Sequence, residues 1–203
     1  MDPETPTKDD LVPNNTESTS PTSSEGSEIH DNPDYIPPNQ QNMLLTDVTS
    51  QILHTRISEE LGVEYLSKVD SNAEKQRAPL DGRLYGLNKR LMVNVATRRM
   101  SRRKSTEPDY PSYNIIFLCD TGSPNTFICE EAMLALIKEN SENVAPPSLF
   151  VKMADFPAVE AHRSPNPSHY SDVNVIGMDL LSQLQTTIFG KDLEFELANM
   201  EHR

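Results

Sequence analysis

Apolar positions are unevenly spread along the 203 residues. Residues 1–42 are mostly Pro, Ser, Thr, Asn and acids with almost no aliphatics, a composition that cannot bury enough apolar area to offset the entropy of ordering. This predicts a disordered tail. From Met43 to Val69, apolar residues fall at Leu44, Val48, Ile52, Ile57, Leu61, Tyr65 and Val69, close to helical spacing, with Gly62 as a weak point. One or two amphipathic helices are expected over 43–69. Residues 70–83 are polar and end in the turn-like Pro79-Leu80-Asp81-Gly82, the pattern of a linker.

The remainder, 84–199, carries the pattern of a small β-rich domain, with 200–203 left as a short C-terminal tail. "RLMVNVATRR" (90–99) predicts a strand, and "NIIFLCD" (114–120) a second one, richer in Ile, Phe and Leu and therefore more buried. "CEEAMLALIKEN" predicts a short helix, with Glu130 and Glu131 near its start and Lys138 near its end, where the helix dipole favours each sign. "PSLFVKMA", "FPAVEAHR" and "HYSDVNVIG" read as three strands, Asp179 as a cap for a helix formed by "LLSQL", and "TTIFGKDLEFELA" as a closing hairpin. The expected order is β-β, helix, β-β-β, helix, β-β.

Composition supports this division. With aromatics at 6%, no Trp and a mean hydropathy of −0.58, a core spread evenly over the chain would be thin. The net charge of −13 argues against nucleic acid as a partner, because that affinity comes from Lys and Arg neutralising phosphates. Much of the acidity belongs to the tail, where nine acids face Lys8 alone. No basic and apolar leader opens the chain, and no run approaches the roughly 18 apolar residues a membrane span needs. The expectation is cytoplasmic or nuclear residence without membrane association, with Cys119 and Cys129 as reduced thiols.

One basic cluster stands apart: Arg98, Arg99, Arg102, Arg103 and Lys104 lie between the first two strands. An exposed hairpin loop is one reading. The other starts from two Arg-Arg-x-Ser spacings, which make Ser101 and Ser105 candidate phosphorylation sites, where phosphate would cancel the local charge. His162 and His169 have no His or Cys partners at ligand spacing, so no metal and no cofactor is expected.

The chemistry concentrates in "FLCDTGSPNTFI". A buried strand that ends in Asp120-Thr121-Gly122 and then turns apolar again resembles the retropepsin-like aspartic proteases of retroviruses, retrotransposons and a few cellular proteins. Their second element, two apolar residues, Gly, any residue, then Asp or Asn, is matched by Val175-Ile176-Gly177-Met178-Asp179, leading into a helix. The resemblance covers about 84–199. It implies a single acid-protease lobe, a small closed β-barrel with one or two short helices. It further implies catalytic roles at Asp120, Thr121 and Gly122, with Ser123, Ile176, Gly177 and Asp179 as substrate wall or structural support.

Aspartic proteases need two carboxylates so close that the pair holds one proton. One then activates a water while the other polarises the scissile carbonyl of a polypeptide substrate. Only one Asp-Thr/Ser-Gly occurs here, so the resemblance implies a homodimer with Asp120 from each copy at the twofold axis. Retropepsins close over substrate with a flap usually rich in Gly, yet no Gly occurs from Ser123 to Ile176, and the flap position is expected around "MADFPAVEAHRSP". An alternative therefore stays open, a catalytically inactive retropepsin-like domain acting as a dimerisation or peptide-binding module. A third reading makes the 43–69 helix the functional, partner-binding part.

Overall fold

The architecture is built around a strand that is apolar on both faces. A computed structural model describes residues 47–70, 76–100, 110–137, 144–165 and 170–200, all within the unit Asn42–Arg203. The tail at 1–42, Ser101, Ser105, His169 and residues 201–203 lie outside the described residues. Strand β3 (Ser112–Cys119) buries Ile115, Ile116, Phe117, Leu118 and Cys119 in succession, which requires cover on both sides. One face turns into a barrel and the other lies under helix α3 (Glu130–Ile137) and an N-terminal helical strap.

The barrel is closed by six strands. They are β2 (Arg90–Arg99), β3, β7 (Asn174–Ile176), β4 (Phe127–Ile128), β6 (Val159–Arg163) and β5 (Ser148–Met153), with β5 returning to β2. A sheet arm extends from β2 through β1 (Leu80–Tyr85) and β9 (Glu194–Asn199) to β8 (Leu184–Phe189). The chain is thus mainly β with few short helices, a small closed barrel preceded by a helical segment.

Strand β2 holds the barrel and the arm together. Its first half pairs with β1 and its last three residues with β5, so its outer edge is left open between Val93 and Thr97. The side-chain amide of Gln76 fills the gap, donating to Asn94 O at 3.1 Å and accepting from Ala96 N at 2.6 Å. Gln76→Ala is expected to lower stability by about 1 kcal/mol, since water can replace part of what is lost at this partly buried edge. Urea denaturation measures it.

The strap comprises α1 (Ser50–Ile52), a π-helical turn (Leu53–Ile57) and α2 (Ser58–Leu61), ending at Gly62 with φ +65° as the sequence pattern anticipates. Buried Ser58 accounts for the π turn: its hydroxyl donates to Leu53 O five residues back and accepts from Tyr65 N. Leu53, Ile57 and Tyr65 pack into the core, and Leu66 and Val69 donate backbone bonds to Asn114 O and Ser112 O on β3. At the centre of this contact Asn174 is fully satisfied. Its Oδ1 accepts from Cys129 N at 3.0 Å and its Nδ2 donates to Ile116 O at 3.0 Å and Tyr65 Oη at 2.8 Å.

Two expectations are corrected here. The linker is shorter than 70–83, because Leu80-Asp81-Gly82 opens β1 instead of making a turn. Gly82 sits mid-strand because a Cβ there would enter the Phe195 ring from β9, so close strand approach required its small size. Asp179 is not the N-cap of α4 (Met178–Leu181), which is Gly177; it lies inside the first turn, where its carboxylate accepts from Leu180 N at 2.9 Å and also turns to Thr126.

Candidate active site

Asp120 follows directly on β3, and its surroundings are set by how β7 threads between two strands that are neighbours in sequence. β7 runs parallel to β3, with Cys119 opposite Ile176, and antiparallel to β4, with Phe127 opposite Val175. The connection from β3 to β4, residues 120–126, must therefore cross the end of β7. This brings the two sequence motifs, 57 residues apart from Asp120 to Gly177, into one junction.

That junction is densely bonded. Asp120 N donates to Ile176 O at 3.0 Å, Met178 N to Ser123 O at 2.8 Å and Asp179 N to Pro124 O at 3.1 Å, so the crossing loop takes up N–H groups that the start of α4 would otherwise leave unpaired. The Asp179 carboxylate accepts from Thr126 N at 2.9 Å and Thr126 Oγ1 at 2.7 Å, while Thr126 Oγ1 accepts from Gly177 N at 3.2 Å. Thr126 is fully buried. Thr126→Val is expected to cost about 2 kcal/mol by leaving the Gly177 N–H without a partner and removing one of the two donors to Asp179 Oδ1, which keeps Leu180 N at 2.9 Å. Thermal denaturation measures the cost.

The sequence candidates divide into two groups. Ile176, Gly177 and Asp179 are scaffold, turned into the junction, and Ser123 joins them through its carbonyl and through Ser123 Oγ, which donates to Asn125 O at 2.7 Å. Asp120, Thr121 and Gly122 form the outward part: Asp120 is half-buried, the other two are exposed. Asp120 Oδ1 accepts from Gly122 N at 2.8 Å, which aims the carboxylate. Gly122 has no positive φ, and a Cβ there would meet only Asp120 Oδ1, at 3.2 Å. Its small size thus clears space at the carboxylate and is not demanded by the backbone.

Several residues around this site escaped the sequence. Thr126 was unmarked because a Thr in a polar loop carries no pattern of its own. Arg90 opens β2 at the level of Asp120, and its Nε donates to Asp47 Oδ1 at 2.8 Å. Its guanidinium lies over the Tyr170 ring, 5.5 Å from the centroid. Burial pushes the Tyr170 phenol above its ordinary value; Arg90 opposes this, while the Asp47 and Asp120 carboxylates add to it. No local signal joins positions so far apart in sequence.

The flap expectation is corrected. Residues 153–165 are barrel wall: Phe156 is fully buried, Val159 and Ala161 face the core, and β6 is paired on both sides. The β5–β6 turn meets β2 at Ala96, where Ala154 N donates to Ala96 O at 2.8 Å. Asp120 lies beside Leu91, at the other end of the same strand.

Burial pushes the Cys119 thiol up to about 12, and both cysteines are buried and free. Among the described residues no three His, Cys, Asp or Glu side chains converge as a metal would need, and no helix is long and apolar enough to cross a membrane. No protein-family model, curated protein or solved structure matches the chain.

Proposed function

We propose that the chain is an aspartic endopeptidase of retropepsin type, hydrolysing peptide bonds with a water activated between the Asp120 carboxylates of a homodimer. The observation that carries this is the crossing loop. A carboxylate following a strand whose last five residues are buried is itself half-buried, aimed by Gly122 N–H, and held on a loop braced by Thr126, Gly177 and Asp179. Electrostatic catalysis needs such preorganisation. Thr121, exposed and without a hydrogen bond of its own among the described residues, is available to a second copy.

Surface for that copy exists. Among the described residues β8 is paired only with β9, which leaves its outer edge open, and Ile188, Phe189 and Met178 are exposed apolar side chains on β8 and at the start of α4. The test joins sedimentation to a cleavage assay on a diverse peptide library across acidic to neutral pH. Dimer and cleavage together support the proposal; a strict monomer at working concentration overturns it.

One observation favours the second reading, an inactive dimerisation or peptide-binding module: the segment expected to close over substrate is wall at the far end of the barrel. Peptide binding by a dimer that cleaves nothing selects that reading.

A further inference from the structure

Strand β8 ends the sheet arm with an outer edge that pairs with no strand among the described residues. Which of its backbone groups face that edge follows from its neighbours. Leu84 N on β1 donates to Leu193 O, so by alternation Leu193, Phe195 and Leu197 turn their N–H and C=O groups toward β1. Glu194, Glu196 and Ala198 then bond β8 through Phe189, Thr187 and Gln185, which stand opposite them. Leu184, Thr186 and Ile188 are left presenting their N–H and C=O groups outward.

This edge lacks the devices that keep edge strands apart. Leu184-Gln185-Thr186-Thr187-Ile188-Phe189 carries no charge and no Pro, and its register with β9 runs without a bulge. In a chain of net charge −13, an uncharged strip is where a second copy approaches without setting acid against acid. The face of the strand is unfinished as well. Leu184, Thr186 and Ile188 share the face of Leu197 and Phe195, which are fully buried, yet Ile188 is 55% exposed. The core-side face of the sheet therefore runs further than the core that covers it.

We propose that β8 pairs antiparallel with β8 of a second copy, with Thr186 opposite Thr186 at the twofold axis, so that the two arms form one continuous sheet. The inference rests on the homodimer of the protease reading and names the surface that makes it. Only Ser182 and Gln183 separate β8 from α4, whose Met178 and Asp179 N–H groups hold the Asp120 loop. Two constraints set the register. A slip of one residue would put the apolar face of one copy beside the polar face of the other, so only even steps are open. Among these, the pairing centred on Thr186 sets Leu184 against the partner's Ile188 and Ile188 against the partner's Leu184. Every outward residue is then paired, with about six N–H···O bonds across the seam. Sliding the copy two residues either way leaves less of the strand paired and sets Leu184 or Ile188 against Thr186. The strand is thus matched to itself, apolar to apolar and hydroxyl to hydroxyl, whereas a foreign strand gains only the backbone bonds.

The test is residue-resolved amide hydrogen exchange of the full chain over a dilution series, beside sedimentation and peptide cleavage, for wild type and Thr186→Lys. In wild type the Thr186 and Ile188 amides are expected to gain about 10-fold or more protection as dimer forms, while Gln185 and Thr187, bonded to β9 in either state, change less. Thr186 is exposed in the single chain, and Thr186→Lys sets two ammonium groups opposite each other at the axis. It is expected to raise the dimer dissociation constant about 100-fold or more while the Gln185 and Thr187 amides stay protected. A dimer whose Thr186 and Ile188 amides exchange freely, or that is not weakened by Thr186→Lys, overturns the seam and leaves the protease reading standing. Protection that does not depend on concentration puts another part of the same chain on the edge and also overturns it. A wild type that dimerises through these amides and cleaves nothing supports the seam and removes the catalytic reading, and a strict monomer overturns both. Should Thr186→Lys fail to fold, the concentration dependence of the wild-type amides decides alone.

Discussion

Asp120→Asn is expected to lower peptide cleavage by about 10³-fold or more while leaving fold and dimer intact. The amide is nearly the same size as the carboxylate, and its oxygen still accepts the Gly122 N–H that aims Asp120 Oδ1. What it cannot do is ionise, so neither copy can take a proton from water and no proton is shared between them. Both roles of the proposed dyad would be lost at once, and each alone is worth orders of magnitude in rate. Sedimentation and thermal denaturation, unchanged within about 1 kcal/mol, would show that chemistry and not folding was removed. A variant that retains wild-type cleavage sinks the assignment of Asp120.

Gly177→Ala is expected to destabilise the chain by about 3 kcal/mol or more, a large share of the roughly 5–15 kcal/mol that holds a domain folded. The reason is steric alone. Gly177 has φ −95°, which any residue adopts, but a Cβ would enter the Asn125 carbonyl and lie 2.9 Å from Ser123 O. Both are backbone atoms of the crossing loop, so no change of rotamer relieves the clash. The loop must lift, and that pulls Thr126 from Asp179 and Ser123 O from Met178 N. Since 1 kcal/mol moves the Tm of a chain this size by about 2–4 °C, a fall of about 6–12 °C or more is expected, along with loss of any cleavage. Gly62 serves as a control. Its φ is +65° yet nothing lies within 4 Å of a Cβ there, so Gly62→Ala should cost only about 1 kcal/mol. Equal stability of Gly177→Ala and wild type would contradict the packed junction.

These two positions also show what could be read without a structure. Asp120 was legible because five apolar or thiol residues precede it, and a segment so uniformly apolar must be buried on both faces. The alternation of β2, the helical spacing of the strap with its stop at Gly62, and the closing hairpin were legible for the same reason, since each is a local periodicity. β1 was hidden because Leu80-Asp81-Gly82 carries the letters of a turn, and only the Phe195 ring explains why a glycine stands mid-strand. The flap expectation for 153–165 failed because a hairpin in the barrel wall and a hairpin over a cleft have the same local sequence character.

The sequence by itself determined most of the strands and the short helices, which carboxylate ends the buried strand, and the spacing of Asp120-Thr121-Gly122 and Ile176-Gly177 along the chain. Only the tertiary structure decided that β7 inserts between β3 and β4, that Asp179 braces Thr126 while Gly177 is the N-cap of α4, and that Arg90 brings Asp47 and Tyr170 together. The physical reason is range. Burial patterns and turn chemistry act between residues a few positions apart and leave their mark on neighbouring letters. Strand insertion and charge pairing join positions dozens of residues apart, and are settled only when the whole barrel closes.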